Sequence, residues 1–159
     1  MDEAIEEQAE SRQKNVEARV WLRMLACANL IESVLRERLR GEFDTTLARF
    51  DVLAQLARPP EQPTMSELSQ RLMVTKGSIT DVIGRLEAAR LVERRRDAED
   101  ARVQRVHLTA KGRRMAAEMI PAHNEWLAEL LRDFGDLDLS RLDRLLGRLR
   151  MVLRAQLRE

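Results

Sequence analysis

The chain has 159 residues, 44% of them hydrophobic and 35% charged, with a formal net charge of +1. That is length for one domain with a real core and a composition typical of a soluble helical protein. A single cysteine, Cys27, excludes an intrachain disulfide and a cysteine-rich zinc site, and no apolar run reaches the length of a membrane span.

The acidic start lacks the basic and apolar regions of a signal peptide, so a cytoplasmic protein is expected. No Gly-rich phosphate loop, His-Glu-x-x-His or nucleophile elbow is present, so neither an enzyme nor a bound cofactor is expected. The near-neutral sum hides an uneven distribution. Asp2, Glu3, Glu6, Glu7 and Glu10 crowd the N-terminus, whereas arginines crowd residues 94–105, and a polyanion meets the local field rather than the sum.

Residues 1–14 are polar and either fray or extend the first helix. From Val16 the pattern is firm: Val16, Val20, Met24, Cys27, Ile31 and Leu35 trace one helical face, with Trp21, Leu25 and Ala28 beside it. So wide a stripe predicts burial on two sides, one against the same chain and one against a second subunit. Gly41 is expected to end this helix. The next, over 45–57, presents Leu47, Phe50, Leu53, Ala54 and Ala57 and stops before Pro59-Pro60.

Thr64 and Glu67 then form a Thr-x-x-Glu capping box for a helix whose Leu68 and Leu72 share a face. Met73-Val74-Thr75 has the length of the turn in a helix-turn-helix, and Thr75 can cap a second helix over 76–89. Ile79, Val82, Ile83 and Leu86 fall on its buried face. That leaves Thr75, Lys76, Gly77, Ser78, Thr80, Asp81 and Arg85 for its front end and outer face, side chains of the kind that enter a major groove.

After Leu91 the period becomes strand-like. Val92–Arg96, a polar tip at 97–101 and Arg102–Leu108 read as a β-hairpin in which Val106 and Leu108 face the core while Arg105 and His107 face solvent. Thr109 caps a helix carrying Met115, Met119, Trp126, Leu127, Leu130 and Leu131. Pro121 predicts a kink or break in it, and Gly135 its end. A last helix is expected from near Ser140, with Asp143 three residues later, and Leu142, Leu145, Leu146, Leu149, Val152, Leu153 and Leu157 form a seam for another helix.

The motifs Leu86-Glu87-Ala88-Ala89-Arg90-Leu91-Val92-Glu93-Arg94, Asp100-Ala101-Arg102 and Leu108-Thr109-Ala110-Lys111-Gly112 occur in one order and at one spacing. They resemble the winged helix-turn-helix of the MarR family of bacterial transcription regulators. Two positions depart from that pattern: Arg90 stands where the family usually has glycine, so a non-glycine residue is expected to take the left-handed conformation at the helix end, and Ala101 stands where it often has arginine. The segment Gly41–Leu56 is also similar to a MarR-family subgroup that includes regulators of hydroxycinnamate and related aromatic-acid breakdown, such as CouR.

The resemblance implies a mainly α fold with a small β wing. It places a dimerisation helix at 1–40, a DNA-binding lobe at 41–108 and C-terminal dimerisation helices at 109–159, all in one structural domain. It also implies a homodimer on a pseudo-palindromic double-stranded operator, acting as a repressor released by a small aromatic effector. The DNA-contacting set is then Thr75, Lys76, Ser78, Thr80 and Arg85 on the second helix of the motif, with Arg94, Arg96, Asp100 and Arg102 in the wing. Arg102 is expected in a minor groove with Asp100 holding its guanidinium in line. Whether the helix residues read bases or hold phosphates stays open, since both tasks use the same side chains.

Trp21, Met24, Arg49, Phe50, Met119, His123 and Trp126 form a candidate lining for an effector cleft, with core packing the alternative for each. Arg36, Arg38 and Arg40 are candidates for phosphates of a CoA thioester, or an ordinary solvated helix end. Cys27 as a redox switch competes with Cys27 as a small residue on a buried stripe; no basic residue flanks it, and the chain has no tyrosine to hydrogen-bond a thiolate. His107 and His123 lie far apart in sequence without companion ligands, which argues against a metal site. A protein-docking module that has lost DNA binding is the remaining alternative.

Overall fold

In the computed structural model, which describes residues 2–60, 62–97, 99–100 and 102–157, helices dominate and one two-stranded antiparallel sheet is present. The chain divides into two compact units, Met1–Ile120 and Pro121–Glu159. The division falls within a helix, not at residue 109.

In the first unit, α1 (Asp2–Phe43) runs through Gly41. Nothing surrounds the position where a Gly41 side chain would sit, so no local demand stops the helix there. It ends instead at Asp44, which takes the left-handed conformation (φ 47°) while the Thr45 N–H reaches back to the Leu39 carbonyl at 3.2 Å. Leu35 and Leu39 are buried, and α1 packs on α2 (Leu47–Leu56). Upstream, Val16, Val20, Trp21, Leu22, Leu25 and Leu30 are exposed, and so is Cys27. Cys27, expected on a buried face, is thus exposed within the single chain.

α2 starts later than the sequence suggests because Thr46, not Thr45, is its cap, accepting the Arg49 N–H at 3.3 Å. It buries Phe50, Val52, Leu53 and Leu56 and packs on both helices of the helix-turn-helix. α3 (Met65–Leu72) begins with the expected capping box: the Thr64 N–H donates to Glu67 Oε2 at 2.7 Å and the Glu67 N–H to Thr64 Oγ1 at 3.1 Å. Met73, left-handed at φ 55°, closes it. α4 (Lys76–Ala88) buries Ile79, Ile83 and Leu86, as their spacing requires, while Val82 is half-buried.

Arg90 does adopt the left-handed conformation that follows α4, with φ 58°. A Cβ is disfavoured there, so Arg90→Gly is expected to stabilise the fold by about 0.5–1 kcal/mol, the strain relieved less the extra chain entropy of glycine. Thermal melts of the two proteins at equal concentration check this.

β1 (Val92–Arg96) pairs with β2 (Gln104–Leu108), Val92 opposite Leu108 and Arg94 opposite Val106. β2 starts at Gln104 rather than Arg102 because the Val103 N–H closes a turn onto the Asp100 carbonyl at 2.9 Å. The linker before α3 adds a rung to the sheet: the Val106 N–H donates to Pro63 O at 3.0 Å, and Thr64 bridges to Arg105.

α5 (Ala110–Leu131) is capped by Thr109, whose hydroxyl accepts the Gly112 N–H at 3.0 Å, and continues past Pro121 without a break. A 3-10 turn (Arg132–Phe134) and Gly135 at φ 81° follow it. In the second unit, α6 (Asp136–Gln156) starts before Ser140, whose hydroxyl donates to the Asp136 carbonyl at 2.8 Å from inside the helix instead of capping it. α6 buries none of its residues, and Leu142, Leu145, Leu146, Val152 and Leu153 are exposed.

Candidate nucleic-acid interface

The front of α4 is built from local hydroxyl chemistry. Thr75 accepts the Ser78 N–H at 3.2 Å and shares a 2.9 Å hydroxyl contact with Ser78, while Thr80 Oγ1 donates to the Lys76 carbonyl at 2.7 Å. All four side chains are exposed. Lys76 occupies the first turn, where the helix dipole disfavours a cation by about 0.3–1 kcal/mol. A phosphate bound at that end would reverse the sign of this term.

Arg85 pairs with Asp81 one turn earlier at 2.9 Å, with both side chains largely exposed. Such a pair contributes about 0–1 kcal/mol, so Arg85 can exchange its carboxylate for a phosphate at little cost. Arg85 and Asp81 also line a concavity of about 500 Å³ with Arg40 and Arg49. No carboxylate pairs with Arg40 or Arg49 among the described residues.

The wing arginines divide into anchors and free cations. Arg94 binds Glu87 of α4 through Nε at 3.0 and 3.1 Å and through a terminal nitrogen at 2.6 Å. The same contact lowers the Glu87 carboxyl and raises Arg94. Arg94 was expected among the DNA contacts. In the folded chain it is paired with Glu87, because its place in β1 brings it against α4. Arg95 pairs with Glu93. Arg96 and Arg102 are exposed and unpaired among the described residues.

Asp100 does not hold the Arg102 guanidinium. Its carboxylate accepts the Arg102 backbone N–H at 2.9 Å, so it shapes the loop that carries Arg102 rather than aiming the side chain. Ala101, the atypical position of that motif, lies outside the described residues.

Two residues that the sequence left unassigned organise the tip. Asp97 accepts the Glu99 and Asp100 N–H groups at 2.8 and 3.2 Å and also pairs with Arg105. The Arg105 hydrogen bond first, then the two backbone donors, bring the Asp97 carboxyl down to about 2. Arg105, expected to face solvent, also donates to Gln62 O at 3.1 Å and lies 3.9 Å from Glu67. One side chain thus ties the wing to the entrance of the helix-turn-helix. His107, expected to be exposed, is half-buried, and burial first and Arg95 second hold its imidazole below the usual range.

Beneath the recognition helix, Asp51 of α2 borders a small cavity of about 120 Å³ with Val74, Ser78, Ile79 and Val82. Burial, and then Glu32, push its carboxyl up to about 6 from 3.8. The folded chain therefore holds this proton more tightly than the unfolded chain, and stability falls as pH rises from about 4 to about 6. Asp51→Asn is expected to stabilise by roughly 1–2 kcal/mol at pH 7 and to change little at pH 4, read from melts across that range.

Of the residues expected to line an effector cleft, five lie in the first unit. Phe50 and Met119 are core residues, Trp21 is exposed, and Met24 is half-buried. Arg49 lines the concavity beside Arg85, which none of these shares. His123 and Trp126 lie on the part of α5 that belongs to the second unit.

A model of the MarR family matches residues 43–103. The chain is 34% identical over 86 residues to the uncharacterized HTH-type transcriptional regulator YsmB of Bacillus subtilis (strain 168), covering 54% of this chain and 59% of that protein. It is 30% identical over 125 residues to the transcriptional activatory protein BadR of Rhodopseudomonas palustris, covering 77% and 71%. The fold is similar to AbsC, a MarR family transcriptional regulator from Streptomyces coelicolor, with TM-score 0.77, 26% identity and coverage of 88% and 95%. Streptococcus pneumoniae FabT in complex with DNA superposes with TM-score 0.71 at 24% identity, covering 87% and 97%.

Proposed function

The chain belongs to the MarR family of winged helix-turn-helix transcriptional regulators, and from that premise we propose that it acts as a homodimer on a pseudo-palindromic operator. The observation that carries this is the exposed front of α4 beside unpaired Arg96 and Arg102 on the wing. Each α4 enters a major groove, with centres about 34 Å apart along the duplex, and each wing lies against a flanking minor groove. The solved complex of FabT with DNA, a protein of the same fold, supports this reading.

Dimerisation is supported by the uncovered apolar stripe of α1 and the uncovered leucines of α6, each too extensive to remain in water. Repression by occlusion of the promoter is the output, relieved by a small aromatic acid or its thioester. A ligand that binds better to the conformation with misplaced recognition helices releases the DNA.

Duplex binding measured against salt tests the core of the reading. Several phosphate contacts require a steep fall in affinity as salt rises, whereas a docking module without DNA function shows no duplex affinity at any salt. Sedimentation at micromolar concentration is expected to give a dimer, and a stable monomer contradicts the assembly.

A further inference from the structure

The corner between α1 and α2 forms, with α4, a concavity of about 500 Å³ on one flank of the recognition helix. Arg40 of α1, Arg49 of α2 and Arg85 of α4 line it, with Asp44 and Asp81 as its carboxylates, so one positive charge is in excess. Arg85 is paired with Asp81, and neither Arg40 nor Arg49 has an ion pair among the described residues. Three elements thus bring three cations to one hollow and leave two of them unneutralised. Such a cluster costs the free chain like-charge repulsion, which an anion relieves. The first turn of α2, which has no acidic residue, borders the same hollow, so its dipole adds to the attraction.

The position of the concavity on α4 decides which anion reaches it. Successive helical residues turn by about 100°, so Arg85 and Glu87, two positions apart, leave opposite flanks of α4. Glu87 faces the wing through Arg94, and Arg85 faces the α1–α2 corner. A helix roughly 10–12 Å across fills a major groove about 12 Å wide, so a sugar-phosphate strand runs along each flank. The wing stands on one side. We propose that Arg40, Arg49 and Arg85 hold a backbone phosphate of the strand on the other side, and so fix the orientation of α4 in its groove.

This contact rests on the operator-binding reading above and extends the interface to Arg40 and Arg49, which lie outside the helix-turn-helix and the wing. Arg85 exchanges Asp81 for the phosphate, a weak and exposed pair for a charge-assisted contact shared with two more guanidinium groups. A phosphate is the same at every base step, so the contact adds affinity to any duplex and discriminates between none.

The full chain is titrated into a labelled operator and into an unrelated duplex of equal length, each over a range of salt. The double variant Arg40→Gln with Arg49→Gln is expected to make the slope of log affinity against log salt shallower by about one per subunit. Its affinity is expected to fall on the order of tenfold at physiological salt on both duplexes, leaving their ratio unchanged. Arg49→Lys keeps the charge and is expected to keep the wild-type slope. Arg40→Gln alone, at an exposed position, is expected to show part of the loss and carries the test if the double variant melts early.

An unchanged slope in the variants overturns the contact, whether or not affinity falls, because a merely structural role moves affinity without changing the number of phosphates held. A loss confined to the operator overturns it as well, since that is base readout. Inorganic phosphate, titrated by calorimetry at fixed ionic strength, separates a free anion from the backbone. Binding by the wild type that the double variant loses, with an unchanged duplex slope, assigns the concavity to free phosphate and overturns the backbone contact. A wild type with no duplex affinity at any salt overturns the operator reading and this contact with it, whereas duplex affinity with unchanged slopes overturns this contact alone.

Discussion

Gly112→Ala is expected to destabilise the protein by about 3 kcal/mol or more, enough to lower its melting temperature by roughly 6–12 °C. A Cβ at position 112 would lie 1.9 Å from Leu91 O and 2.9 Å from Leu91 C, both backbone atoms. Neither can swing aside, because the Leu91 carbonyl is held by the Thr109 N–H at 3.1 Å and the Thr109 hydroxyl at 3.2 Å. The neighbouring carbonyls are held as well, that of Arg90 by Thr109 Oγ1 at 2.8 Å and that of Ala89 by Lys111 Nζ at 3.1 Å. The first turn of α5 thus caps the end of α4, and the strain of the substitution falls on the junction between the recognition helix and the wing. Gly41→Ala is the control: nothing meets a Cβ there, the position is helical, and a gain of about 0.5–1 kcal/mol is expected. If melts show Gly112→Ala to be as harmless as Gly41→Ala, the junction is not the close contact described.

Arg102→Ala is expected to weaken operator binding about 10- to 100-fold at physiological salt while leaving the melting temperature unchanged. The guanidinium is exposed and unpaired, so its loss removes nothing from the fold. In a narrow minor groove it meets a concentrated negative potential. Asp100→Ala removes only the carboxylate that accepts the Arg102 N–H, so its effect should be smaller and should come through loop order. Arg94→Ala is expected to differ in kind, lowering stability along with affinity, because Arg94 is bound to Glu87. Fluorescence anisotropy of a labelled operator, with melts of each variant, separates these outcomes. Wild-type affinity in Arg102→Ala removes the wing from the interface.

The helix-turn-helix was legible because its signals are local. A capping box closes within three residues, an apolar period of three to four marks Ile79, Ile83 and Leu86, and Thr75 caps α4 through Ser78. The left-handed Arg90 was legible for the same reason, since a helix end imposes its backbone conformation whatever the side chain. The end of α1 was not, because a glycine permits a stop without compelling one. Nor was the start of α6, four residues before Ser140, since a serine hydroxyl serves a cap or a mid-helix carbonyl equally well.

The candidate site divides along the same line. Sequence located the polar face of α4 and the basic character of the hairpin, because period and charge are properties of neighbouring residues. It could not tell which arginines were spent. Arg94 and Glu87 meet across seven positions, Arg105 and Gln62 across forty-three, and strand register decides both.

The sequence by itself determined the fold class, the order of its elements, and the faces of α1 and α6 that this chain leaves uncovered, since periodicity and capping act within a few residues. Only the tertiary structure decided which wing cations stay free, that Leu91 closes on Gly112, and that α1, α2 and α4 bring Arg40, Arg49 and Arg85 to one concavity. Those depend on which distant side chains and carbonyls reach one another first, and burial of the core, not local preference, sets that.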